Sequence, residues 1–268
     1  MSTSDRAPVL FIPHGGGPLP LLGDPGHQPL VDFLKTVPER YPPPKAILVV
    51  SAHWEAPRPT LLGDESPGLY FDYYGFPPES YRYAYPAVNP SSWRTRLREV
   101  LAGAGLEAAE QSGRGYDHGV FVPLMLMHPA ADIPVLQLSL VEGLDPVAHF
   151  ELGRALAPLR DEGVMVLGSG LSFHNLRLLL GDPAGDDSAS QRFHGWLVGV
   201  LGDPALTDDQ RYRALADWTS APDARTCHPR EEHLLPLHLC LGAAGGRAAD
   251  IVFDEALLGQ RTIGALWR

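Results

Sequence analysis

A chain of 268 residues, 44% hydrophobic and 20% charged, is long enough to bury a sizeable core and too ordinary in composition to be disordered or fibrous. A net charge of −11, with no basic run interleaved with aromatics, argues against nucleic acid as a partner. Two cysteines, Cys227 and Cys240, cannot build a disulfide framework, and no stretch sustains the roughly 20 apolar residues of a membrane span or forms an export leader; a reducing cytoplasm and no membrane partner are expected.

In chain order, the apolar run Val9–Ile12 reads as a buried strand that delivers His14 and the flexible Gly15-Gly16-Gly17 at its carboxyl end. A helix is predicted over His27–Val37, then a second strand, Ala46–Val50, followed by Ser51-Ala52-His53. If that strand continues, Glu55 shares a face with His53. Leu69–Pro90 is irregular and rich in proline and tyrosine, either an Ω-type loop packed on its own rings or a cover for a substrate. Ser91–Gly103 reads as a helix capped by Ser91. Tyr116-Asp117-His118-Gly119 then precedes the apolar Val120–Met127, where Asp117 or a neighbouring carbonyl is placed to orient the His118 ring.

A strand follows over Ile133–Leu140, and then a helix over Asp145–Asp161, with Asp145 as cap before Pro146 at the first helical position. The strand Val164–Leu167 runs into a Gly168-Ser169-Gly170 turn and then His174-Asn175. After a polar turn at Asp182–Ser188, helices are predicted over Ala189–Leu201 and Arg230–Ala243, the latter with Pro229 at its start. His228 and His233 are five apart, a spacing that does not align them on one helical face; one of the two, more than both, is expected to bind. Asp250–Leu257 and Arg261–Trp267 read as short strands around Gly259 at a sheet edge.

Strand and helix alternation predicts an α/β fold: one domain over residues 1–268, with a mostly parallel central sheet flanked by helices and a metal site at the carboxyl ends of its strands. Histidines without cysteine clusters suit an open catalytic site for iron or zinc. His27, His128, His149, His194 and His238 lack glycine neighbours and are read as structural.

Taken together in order, Pro13-His14-Gly15-Gly16-Gly17, Ser51-Ala52-His53-Trp54, Tyr73-Tyr74-Gly75-Phe76-Pro77-Pro78, Tyr116-Asp117-His118-Gly119, Gly168-Ser169-Gly170 with His174-Asn175-Leu176, and Glu232-His233 with Leu235-Pro236-Leu237 resemble the class III extradiol ring-cleavage dioxygenases of the DOPA-dioxygenase type. The resemblance covers residue 8 to about residue 243. It implies a metal held by His14, His53 and His233, with Glu55, Glu231 and Glu232 as reserve ligands, and His174 as either a further ligand or the acid/base residue. His118 would assist substrate or oxygen, and Tyr74, Tyr116, Trp54 and His228 are candidate substrate contacts.

The resemblance further implies Fe(II) as the working metal, with Zn(II) able to occupy the same histidines in purified protein, and a small aromatic diol and O2 as the partners. Histidine suits the proton transfers because its ordinary pKa of about 6.5 lets it act in both states. Two alternatives use the same cleft: a zinc hydrolase with metal-bound hydroxide, and a Memo-type binding protein without enzymatic activity.

Overall fold

The computed structural model describes residues 6–181 and 186–268. The strands are β1 (Val9–Pro13), β2 (Ala46–Ala56), β3 (Thr60–Leu62), β4 (Ala109–Gln111), β5 (Val135–Val141), β6 (Val164–Gly170), β7 (Asp250–Leu257) and β8 (Gln260–Trp267). They form one sheet in the order β4-β3-β5-β2-β6-β1-β8-β7. Its centre is parallel, β5-β2-β6-β1, and antiparallel pairings attach β3 on one side and the β8-β7 hairpin on the other. The expected α/β architecture with a mostly parallel sheet is present.

The central strands are continuous apolar runs because both of their faces are covered. In β1 every residue is buried, and side chains alternate between two cores as the period of two requires. Val9 and Phe11 join Leu48, Val50 and Val166 on one face. Leu10 and Ile12 join Ile47, Val49 and Leu167 on the other. The helices Pro146–Leu156 and Leu235–Ala243 cover the first face, and Gln28–Thr36 and His118–Met127 cover the second.

Several boundaries differ from the sequence reading for local reasons. The Ser91–Gly103 helix is present, but Pro90 occupies the cap position and the Glu65 carboxylate accepts the Ser91 N–H at 3.1 Å. Asp145 does cap its helix, accepting from Val147 and Ala148; that helix stops at Leu156 and tightens into a 3-10 turn over Ala157–Glu162, because Pro158 has no N–H to donate. The polar turn at residues 182–188 falls largely outside the described residues, and its last member, Ser188, opens the helix Ser188–Gly202. The short strands β3 and β4 and the helix His118–Met127 carry too few alternating or amphipathic positions to be legible beforehand.

Two differences shape the site. β6 continues through Gly168, Ser169 and Gly170 instead of turning there. The last long helix begins at Leu235, not Arg230, so His233 lies on the turn before it. The two meet at Gly170: the backbone oxygen of His233 would lie 2.2 Å from a Cβ there, and Leu171 N–H donates to His233 O at 3.0 Å, so the segment before the helix docks on the end of β6.

Candidate metal centre

Three adjacent parallel strands come into register at one level, where β1 and β6 end and β2 bulges. Ser51 of β2 pairs with Ser169 of β6, and Ile12 of β1 pairs with the same Ser169. His14 follows β1 directly, its N–H donating to Gly170 O at 3.1 Å. His53 emerges from an irregularity in β2, where Val50 pairs with Leu138 but Glu55 already pairs with Leu140; the surplus residues bulge and turn the imidazole out of the pleat. His233 arrives over Gly170. The glycines after His14 are pinned by His27, whose Nε2 accepts the Gly16 N–H at 3.0 Å while Asp24 engages its Nδ1 at 2.7 Å.

His14, His53 and His233 each present a ring nitrogen, all within 4.8 Å of one another. The His14 and His53 Nε2 atoms are 3.0 Å apart, the spacing of two ligands about 2.1 Å from a shared metal at roughly a right angle. Their tautomers are set from behind. Ser169 Oγ donates to Gly119 O, so it accepts from His14 Nδ1 at 3.2 Å, leaving the Nε2 lone pair for a metal. Glu232 takes the Nδ1 proton of His233 at 2.9 Å, with the same consequence. Such carboxylate and hydroxyl partners orient metal-binding imidazoles and raise their basicity.

Burial, reinforced by His118, His233 and His174 around it, pushes the His14 pKa well below its ordinary value. Burial does the same to His53, with His118 and His14 the next contributors, and brings His233 down to about 4 against the pull of Glu232. These rings are neutral near pH 7 and available as ligands. Burial alone would raise the Glu232 carboxyl, but hydrogen bonds from His174 and His233 outweigh it and hold the group ionised. A neutral imidazole triad, with His14 and His233 backed by fixed partners, fits a divalent transition metal; Asp72 and Glu232 belong to two neighbouring groups that could also hold a cation, His53-Asp72-His118 and His174-Glu232-His233.

Two further histidines flank the triad. His118 opens its helix beside His53, with ring centroids 4.0 Å apart, and its Nδ1 donates to Asp72 at 2.8 Å. Asp72 also accepts the His118 backbone N–H at 3.0 Å. His174 stacks on His233 at 3.3 Å between centroids, its Nδ1 3.3 Å from Glu232. All five rings line a cavity of about 420 Å³ together with Tyr73, Tyr74 and Phe76 of the aromatic loop. Within that loop Phe71, Tyr73 and Tyr81 pack on one another, as the reading of a loop packed on its own rings expects, while Tyr74 and Phe76 line the cavity.

Three candidate contacts are not at this cavity. Tyr116 is fully buried, with its hydroxyl donating to Val135 O at 2.7 Å. Trp54 is buried behind the site, where Arg114 lies 4.8 Å over its ring. His228 sits between Phe193 and Trp218, with Nε2 donating to Ser172 O at 2.7 Å, and burial brings its pKa down to about 3. Asp117 does not orient His118 either. It accepts from Ser51 at 2.7 Å, Arg114 at 3.1 Å and Gln137 at 2.5 Å, and Arg114 in turn donates to His53 O at 2.8 Å, so this buried network braces β2 behind His53. Glu55 and Glu231, held in reserve as ligands, are occupied by Arg230 and Arg225.

Sequence reasoning missed Asp72, Ser169 as a partner, and the leucines of the cavity wall. A lone carboxylate between Phe71 and Tyr73 was the available signal for the first. The five histidines read as structural carry no cavity role: His149 accepts from Val141 N–H, His194 bridges Ser190 and Ser172, and His238 lies against Leu215 and Leu234 carbonyls.

A family model described as the catalytic LigB subunit of aromatic ring-opening dioxygenase matches residues 9–265. The dioxygenase tasH of Hapsidospora irregularis is 40% identical over 257 residues, which is 89% of this chain and 78% of that protein. The 4,5-DOPA dioxygenase extradiol of Beta vulgaris is 39% identical over 254 residues, 92% of this chain and 91% of that one. The crystal structure of an uncharacterized protein from Escherichia coli K12 superposes with a TM-score of 0.77 at 29% identity, covering 98% of this chain and all of the other. A match that runs from β1 into β8 and spans every histidine of the cluster shows that the chain belongs to the LigB family of aromatic ring-opening dioxygenases.

Proposed function

We propose that the protein opens catechol rings beside the diol, as an extradiol dioxygenase using Fe(II) held by His14, His53 and His233. The observation that carries this is the convergence of three neutral imidazoles, two of them oriented from behind by Ser169 and Glu232, on the floor of a cavity large enough for an aromatic ligand. Iron(II), when bound, supplies the electron exchange between a spin-paired ring and O2 that the two cannot make directly. Family membership favours this reaction over zinc-dependent hydrolysis and over a purely binding role. Zn(II) fits the same donors and would compete for them.

The chain's own residues handle protons and exclusion of water. His174 takes a catechol proton at Nε2, and Glu232, ionised at its Nδ1, stabilises the imidazolium. His174 also borders an outer cleft of about 460 Å³ with Asn175, Arg177 and Arg230, which gives its proton a second route to solvent. His118, with Nδ1–H fixed on Asp72, offers Nε2 to a developing charge on oxygen. Tyr74 and Phe76 cover the ring. The cytoplasm is part of the same proposal: both cysteines are buried free thiols, and among the described residues no helix is long and apolar enough to cross a membrane.

The test is anaerobic reconstitution with Fe(II), then oxygen uptake across a panel of catechols while watching for a yellow ring-opened product. Stoichiometric uptake is expected with at least one diol. Failure with every diol, in protein that has retained its iron, refutes the assignment.

A further inference from the structure

The cavity above the histidines has a polar floor and an apolar wall. Leu171, Leu176, Leu179, Leu257, Leu258 and Phe76 supply most of that wall, and among the described residues no Asp, Glu, Lys or Arg lines it. The rim is unusual for a soluble surface. Of the six large hydrophobic side chains exposed in the described residues, three border this mouth: Leu176 at 55%, Leu180 at 75% and Tyr74 at 91%. Leu180 caps the four-residue helix Leu176–Leu179, its N–H donating to Leu176 O at 3.0 Å, so the two leucines stand one turn apart at the mouth. Exposed leucines grouped at a cavity mouth mark a place where an apolar ligand is covered.

Among the described residues the nearest cations stand outside the cavity lining. Arg177 and Arg230 line an adjoining outer cleft that shares His174 and Leu176 with the cavity, and Arg230 is engaged by both Glu55 oxygens at 2.7 Å. The carboxylates that orient the histidines, Asp72 and Glu232, are negative and close to the floor. A carboxylate on the ring substituent would lose water in the leucine-lined half and find no cation there, at a large cost. An alkyl or aryl substituent would gain from the same wall.

Resting on the ring-opening reading above, we propose that the diol taken by this site carries an uncharged, apolar substituent, seated on Leu171, Leu257 and Leu258 and ending between Leu176 and Leu180. The substrate class is thus an alkyl- or aryl-substituted catechol, and not a catechol bearing an amino-acid or carboxylic-acid side chain.

The experiment reads binding on Zn(II)-loaded protein under anaerobic conditions by calorimetry, so that no turnover is needed. The probes are 4-propylcatechol and 3-(3,4-dihydroxyphenyl)propionate, which differ in bearing a methyl or a carboxylate at the end of the same chain. The propyl compound is expected to bind at least tenfold more tightly, and affinity should rise about fourfold per methylene from 4-methyl- to 4-butylcatechol. Equal affinities, or a preference for the acid, overturn the proposal. Leu180→Arg, a substitution at an exposed position, should narrow the ratio by favouring the acid; an unchanged ratio in a variant with full metal content also overturns it. If zinc protein shows the expected order but iron protein opens no ring, the reaction assignment fails and the ligand class stands. If iron protein opens acidic catechols faster than alkyl ones, the ligand class fails and the reaction stands.

Discussion

Replacing Gly170 with alanine tests whether the docking of the His233 segment on β6 builds the metal centre. An added Cβ would sit 2.2 Å from His233 O and 3.2 Å from its carbonyl carbon. Both atoms are backbone, and the strand is buried on both faces, so a side-chain rotation cannot relieve the clash. The segment must retreat by about 1 Å to reach ordinary contact, breaking the Leu171 N–H to His233 O bond. Overpacking of this kind costs about 1–3 kcal/mol, which lowers Tm by roughly 2–5 °C for a domain of this size. A displacement of about 1 Å at a catalytic group costs on the order of 100-fold in turnover. The assay is oxygen uptake by iron-reconstituted protein, with bound metal counted and thermal unfolding followed in parallel. Gly195→Ala is the control: it lies exposed in the helix Ser188–Gly202 with nothing within 4 Å of the added atom, and should stabilise by about 0.5–1 kcal/mol. Wild-type metal content and turnover in Gly170→Ala would refute the argument.

Other substitutions separate the roles of the remaining groups. His174→Ala should reduce turnover by about 100- to 10,000-fold while bound iron, measured by elemental analysis, is retained; loss of iron would make His174 a ligand. Asp72→Asn removes the carboxylate that receives the His118 Nδ1 proton and should lower kcat by about 10- to 100-fold with metal affinity nearly intact, so a kcat equal to wild type would dismiss its orienting role. His194 is buried and neutral, its Nδ1 donating to Ser190 O and its Nε2 accepting from Ser172 Oγ, and burial brings its pKa down to about 4. Because the folded pKa lies below the unfolded one, the unfolded chain binds the extra proton: stability is whole above about pH 6.5 and is lost as pH falls towards 4, by about 3 kcal/mol in all. Urea unfolding between pH 7.5 and 4.5 should show a shallower acid decline in His194→Gln, and identical slopes would contradict the assignment.

The fold was legible where one physical signal dominated. β1 and the opening halves of β2 and β6 are apolar runs, and β5 is interrupted only by the buried Gln137 and Ser139, because both faces of the central sheet are covered; each announced itself within one or two residues of its start. The Asp145-Pro146 cap was legible for the same kind of reason, since capping is a contact between near neighbours. β3 and β4 were not, because three residues carry no readable period and their pairing depends on the sheet that receives them.

The site divides along the same line. By itself the sequence determined that imidazoles stand at the ends of successive strands, since His14 and His53 follow apolar runs and His118 and His174 follow recognisable neighbours. The spacing of His228 and His233 is silent and the resemblance alone prefers His233 as ligand; the tertiary structure supplies the physical reason, a close approach at Gly170 that brings His233 to the cavity and leaves His228 behind Phe193 and Trp218. Only the tertiary structure decided the places of Tyr116 and Trp54, adjacent to site residues in sequence yet turned into the core, and of Asp72 and Ser169, whose histidine partners lie far away along the chain. Local pattern reports which face of an element is buried. Convergence of ligands and their hydrogen-bond partners is a property of how distant segments dock, and no window of sequence contains it.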